Sequence, residues 1–212
     1  MRILVTANVL GRMRELKEDS IFSKSDSIFI AGNIGVGTIG EFGEYLNGLI
    51  SIDKDIYYVT GKYEDFALLK DIKDGRTNKR FYFVPPSGIP THMDISLAGV
   101  SGTYSPTFYE KGSAPMRHFT KNQLLSLPSK ADVVLLHNIP GRLAKSGSLD
   151  FHEDVFRIID AKKPRYIFIG GYDRFSHFNY HDTTVVFLTS LRKGYALLDT
   201  SDWTCFYQHK MV

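Results

Sequence analysis

Short apolar runs alternate with segments of helical period over the first 73 residues. Arg2-Ile-Leu-Val-Thr-Ala7, Ser27-Ile-Phe-Ile-Ala31 and Ile56-Tyr-Tyr-Val-Thr60 are rich in β-branched and aromatic residues. They are apolar at odd and even positions alike, as expected of strands covered on both faces. Between them Phe42, Tyr45, Leu46, Leu49 and Ile50 recur at helical spacing, and Phe66, Leu68, Leu69 and Ile72 do so more loosely. Such faces predict helices that cover a sheet, and strand–helix alternation predicts that the sheet is parallel.

Further along, Phe81-Tyr-Phe-Val84 and Ile95-Ser-Leu-Ala-Gly-Val100 are extended runs separated by Pro85-Pro-Ser-Gly-Ile-Pro90. Thr120 and Gln123 have capping-box spacing ahead of Leu124, Leu125 and Leu127, which predicts a short helix. Val133-Val-Leu-Leu136 reads as an interior strand, and Val155, Ile158 and Ile159 mark one side of a helix that Pro164 ends. From Arg165 onward the pattern is all strand: Tyr166–Ile169, Thr184–Leu188, Tyr195–Leu198 and Trp203–Tyr207, expected to form a terminal meander. The whole predicts an α/β fold, two packed mixed β-sheets flanked by helices, over a single domain spanning residues 1–212.

Composition changes this picture little. At 212 residues, 43% hydrophobic and 23% charged, the chain suits one folded core. The net charge of +3 gives no strong electrostatic footprint; the basic run Arg76-Thr-Asn-Lys79-Arg80 reads as a solvated turn, and nucleic acid is only weakly supported as a partner. One cysteine, Cys205, excludes an internal disulfide. With no apolar stretch near the roughly 18 residues needed to span a bilayer, a cytoplasmic protein outside the membrane is expected.

Candidate chemistry lies at strand ends, because ligands of open α/β sheets sit beyond the carboxyl ends of the strands. Those ends read Asn8-Val-Leu10-Gly11, Gly32-Asn33-Ile-Gly35, Gly61-Lys62-Tyr63-Glu64-Asp65, His137-Asn138 and Gly170-Gly171-Tyr172-Asp173. Gly35, Gly37 and Gly40 loosely match a phosphate-binding loop but lack the acidic residue expected after the second strand. His177, His181 and Asp182 could form a metal cluster only if no turn intervenes, and Asn179-Tyr-His-Asp182 reads as a turn.

From Arg2 to about Tyr207, the order, spacing and flanking apolar runs of these ends resemble the calcineurin-like metallophosphoesterases. The family pattern is Asp-x-His, Gly-Asp, Gly-Asn-His-Asp/Glu, a lone His and Gly-His-x-His. On that resemblance the first motif falls on Asn8 and Leu10, and the metal-bridging Asp on Asn33. The third motif falls on Lys62, Tyr63 and Glu64, with only its acidic residue kept. The lone His is His137, and the last two histidines fall on Gly171 and Asp173. A shorter similarity, Ala98-Gly-Val-Ser-Gly-Thr103 with Asp132 to Pro140, points to the lariat debranching enzymes and their spliceosome-associated relatives.

Hard divalent cations need anionic oxygen or imidazole, and on that resemblance amides, Asn8 and Asn33, stand where the family has carboxylates. An ammonium at about 4 Å repels a dication by roughly 8 kcal/mol at an effective dielectric near 20. Lys62 is therefore expected to stand where a metal would and to pair with Asp173. The resulting expectation is a non-catalytic binding or scaffolding protein without metal, with a protein partner. Lys62, Arg142 and Arg174 are its candidate anion-binding residues. The alternative is a phosphodiesterase or phosphatase with a reduced site of one Mn or Zn ion on Asn8, Asn33, His137 and Asp173.

Overall fold

The computed structural model describes residues 1–35, 52–61, 64–65, 69, 80–104, 118–119, 121–138 and 153–210. The first sheet contains β1 (Arg2–Thr6), β2 (Ser27–Ala31), β3 (Asp55–Val59), β4 (Phe81–Phe83), β13 (Gly194–Asp199) and β14 (Thr204–His209), in the order β14-β13-β1-β2-β3-β4. The second contains β5 (Ile89–Pro90), β6 (Ser96–Val100), β9 (Val133–Leu136), β10 (Tyr166–Ile169), β11 (Ser176–Tyr180) and β12 (Thr183–Phe187), in the order β11-β12-β10-β9-β6-β5. A two-stranded piece pairs β7 (Thr103–Tyr104) with β8 (His118–Phe119). Both large sheets are mixed: the first is parallel from β1 to β4 and antiparallel at β13 and β14, and the second has a parallel centre with an antiparallel strand at each edge.

The apolar runs have two buried faces because each strand serves two layers. Ile3, Val5, Phe29, Tyr57 and Val59 meet Leu97, Val133, Leu135 and Phe168 between the sheets. The alternate positions Leu4, Ile28, Ile30, Ile56 and Tyr58 face outward onto Met13, Leu16, Ile21 and Phe22. Those four come from α1 (Met13–Glu18) and α2 (Ser20–Lys24), with Asp19 capping α2 by accepting from the Ile21 N–H at 3.1 Å. On the far side Val134, Leu136, Ile167 and Ile169 pack against residues of α3 (Lys121–Leu125) and α4 (Glu153–Lys162), including Leu124, Ile158 and Ile159. This is the expected α/β/β/α sandwich. No helix among the described residues is long and apolar enough to cross a membrane.

Three features depart from expectation. The carboxyl-terminal strands do not form one meander: β11 and β12 make a hairpin on the second sheet, while β13 and β14 make one on the first. β12 runs parallel to β10, so its end points the same way as the other site-forming strands. β11 itself went unread, because its pattern is mostly exposed and polar, as an edge strand allows. The helices α1 and α2, six and five residues long, are too short for a period to show. The predicted helix at Phe42–Ile50 lies outside the described residues, as do Phe66, Leu68 and Ile72.

Candidate functional site

Loops after β1 and β2 run side by side beyond the sheet. The N–H groups of Asn8, Leu10 and Gly11 donate to the carbonyls of Gly32 (2.9 Å), Asn33 (3.0 Å) and Ile34 (2.7 Å). This path needs left-handed backbone at several points, with φ of 49° at Asn8, 53° at Leu10 and 47° at Asn33. Asparagine tolerates that region; leucine there costs about 1–2 kcal/mol. Leu10 nonetheless keeps the strained turn with an exposed side chain that lines the cavity.

Glu64 fixes the third loop against the second. Its carboxylate is 2% exposed and accepts three main-chain N–H bonds, from Ile34 (2.7 Å), Gly35 (2.8 Å) and Gly61 (3.0 Å). Main-chain donors satisfied by a charge make this a rigid junction. Gly61 has no alternative there: a Cβ on it would lie 1.9 Å from Asn33 Oδ1. His137, 3% exposed at the end of β9, presses its ring on Gly32, where a Cβ would lie 2.3 Å from Nδ1.

These ends surround a cavity of about 390 Å³ lined by Asn8, Leu10, Asn33, His137, Gly171 and Asp173 among others. Six of the positions singled out in the sequence therefore share one cavity. Glu64 lies behind it, bonded to the loop that carries Asn33. Arg174 is exposed and outside the cavity lining. Lys62, Tyr63 and Arg142, and with them the expected pair of Lys62 with Asp173, lie outside the described residues.

Asn138 and Tyr172, at the same strand ends, line the cavity too; sequence reasoning missed Lys193, Ser190 and Thr103, which complete its lining. Lys193 matters most, being a cation whose Nζ donates to the Asp173 carbonyl oxygen at 3.0 Å. It comes from the connection after β12. A parallel reading of that strand would have pointed its end, Thr189-Ser-Leu-Arg-Lys193, at the site; a meander hid it.

The donor set fits a metal poorly. Asn33 Nδ2 donates to Asn8 Oδ1 at 2.7 Å, so the amide oxygen that would face a cation is already occupied by a neighbouring N–H. Among the described residues no group of three His, Cys, Asp or Glu side chains is placed to hold a metal ion. The His177, His181 and Asp182 set does not assemble either. His177 is on β11, His181 occupies the following turn at φ 51°, and its Nε2 lies 3.7 Å from Asp160.

No protein-family model matches the sequence, and no curated protein matches it. Solved structures do resemble it in shape. A Thermus thermophilus protein, TT1561, aligns over 98% of each chain with a TM-score of 0.73 at 17% identity. An archaeal phosphodiesterase aligns over 99% of this chain and 100% of its own with a TM-score of 0.58 at 12% identity. The phosphopantetheinyl hydrolase of Mycobacterium tuberculosis aligns over 88% of each chain with a TM-score of 0.55 at 11% identity. At these identities the likeness concerns the fold alone: the chain shares with these structures, over nearly its whole length, one α/β/β/α sandwich.

Proposed function

We propose that this protein is a non-catalytic member of the phosphoesterase-like fold, a binding or scaffolding module whose strand-end cavity takes an oxyanion without a metal. The observation that carries this reading is the 2.7 Å hydrogen bond from Asn33 to Asn8. Two carboxylates so close would require a dication between them; two amides satisfy each other and leave neutral hydrogen-bonding groups in a cavity that Lys193 also lines. Such a lining stabilises a phosphate or carboxylate, but it offers no metal-activated water and no second metal.

A second reading keeps a reduced site in which one divalent ion rests on His137 and Asp173, since both line the cavity and the fold is shared with an archaeal phosphodiesterase. One experiment separates them. The purified protein is melted with inorganic phosphate, with Mn²⁺ or Zn²⁺, and with chelator, while hydrolysis of a chromogenic phosphodiester is followed. The binding reading expects phosphate to raise the melting temperature in chelator, Lys193→Met to abolish that rise, and no hydrolysis. Hydrolysis that requires metal and disappears in His137→Ala would overturn it in favour of the enzyme.

A further inference from the structure

Among the described residues the outer edge of β14 is the longest open strand edge of the two sheets, and its backbone polarity follows from two observed bonds. The Lys210 N–H donates to the Lys193 carbonyl at 3.0 Å, and the Thr200 N–H to that of Met1 at 2.8 Å. Bonded pairs in an antiparallel ladder alternate. Thr204, Phe206 and Gln208 therefore bond to β13, while Cys205, Tyr207 and His209 turn their N–H and C=O groups outward. Among the described residues no strand pairs with that side.

Natural edges are guarded by brevity, proline or charge. β4 has three residues and is followed closely by Pro85 and Pro86; β5 has two and includes Pro90. β14 has six residues, Thr-Cys-Phe-Tyr-Gln-His, with no lysine, acid or proline among them. At its centre Phe206 is 64% exposed, more than any other large hydrophobic residue described.

We propose that two copies of this chain associate by antiparallel pairing of their β14 strands about a twofold axis at Phe206, joining two six-stranded sheets into one continuous sheet. The register is fixed by the outward groups. With Phe206 opposite its own copy, Cys205 of each chain bonds with Tyr207 of the other, and the ladder runs from Thr204 to Gln208. Phe206 then occupies a non-hydrogen-bonded pair, where Cα atoms approach to about 4.5 Å and side chains pack closest. The ends agree with this orientation: Asp202 precedes the strand and Lys210 follows it, so each acidic end lies beside the partner's basic end. Lys210 already pairs with Asp19 at 2.8 Å, so charge serves orientation here while main-chain bonds and the Phe206 contact carry affinity. Self-complementarity is what a twofold interface demands, and it favours a second copy over an unrelated extended peptide.

Sedimentation velocity of the full chain over a concentration series tests this. A concentration-dependent dimer is expected, and Phe206→Lys should raise its dissociation constant by at least about tenfold by setting like charges opposite each other. At concentrations where both proteins are monomeric its melting curve should match the wild type, because Phe206 is exposed in the single chain. A Cys205→Ser/Phe206→Cys variant should form a covalent dimer on mild oxidation, the pair lying within disulfide reach. Cys205→Ser/His209→Cys should not. A chain monomeric at every concentration, or a dimer indifferent to Phe206→Lys, would overturn the proposal.

Discussion

Replacing Glu64 by glutamine tests how far one carboxylate holds the site together. The change is isosteric, so packing is kept and only hydrogen bonding differs. In the native junction Oε1 accepts from Ile34 and Gly61, and Oε2 accepts from Gly35 at 2.8 Å. A glutamine amide can keep the first two with its oxygen. Its NH₂ then confronts the Gly35 N–H, donor against donor, in a place with 2% exposure. One charge-assisted bond is lost and a buried donor is orphaned, each costing about 1–3 kcal/mol. The two surviving bonds lose the charge that made them roughly twice as strong as neutral ones. Together the expected loss is about 3–5 kcal/mol. For a chain of this length each kcal/mol lowers the melting temperature by about 2–4 °C, so scanning calorimetry should register a drop on the order of 10 °C. Glu15→Gln is the matched control: Glu15 is 46% exposed and its contacts to Arg12 and Arg192 are surface pairs, so stability should change by less than about 1 kcal/mol. A Glu64→Gln protein melting alongside the wild type would refute the view that this carboxylate locks the second and third loops together.

Two further outcomes follow from the same geometry. In Asn8→Asp/Asn33→Asp the new carboxylates would repel by about 6 kcal/mol at the 2.7 Å now spanned by the amide bond, taking an effective dielectric of about 20. That variant should melt well below the wild type in chelator and recover with Mn²⁺ or on acidification. A variant whose melting temperature is the same with and without metal at neutral pH would contradict this. At the carboxyl-terminal edge, burial pushes the Asp19 carboxyl up, but the hydrogen bond from Lys210, the Ile21 N–H and the Lys210 charge outweigh it, and the net shift is downward. A depressed carboxylate contributes stability above its ordinary range, and that stability is lost as pH falls through the folded-state value. Lys210→Met should therefore lower stability at neutral pH, with the difference shrinking below about pH 4; denaturant titrations showing a pH-independent gap would be inconsistent with that pairing.

The interior strands were legible because a strand buried on both faces leaves little choice of residue: Val133–Leu136 and Tyr166–Ile169 have the bounds their apolar runs suggest. Edge strand β11 was not, since only Phe178 and Tyr180 pack inward while Ser176, His177 and Asn179 face solvent and are free to be polar. At the site, Asn8, Leu10, Asn33, His137, Gly171 and Asp173 could be placed because each follows a strand whose end was already marked. Lys193 carries no such mark, and its approach to the Asp173 carbonyl depends on β12 running parallel to β10.

By itself, then, the sequence determined the layers and which loops cap them, because alternation of apolar faces is a local property of each segment. It also determined that two of the strand ends carry amides, Asn8 and Asn33, and not acids. Tertiary structure alone decided which sheet each carboxyl-terminal hairpin joins and that the two amides bond to each other. It also decided that Glu64 collects three N–H groups from two loops. Partner choice between strands of similar pattern depends on contacts far apart in the chain, and no local composition encodes it.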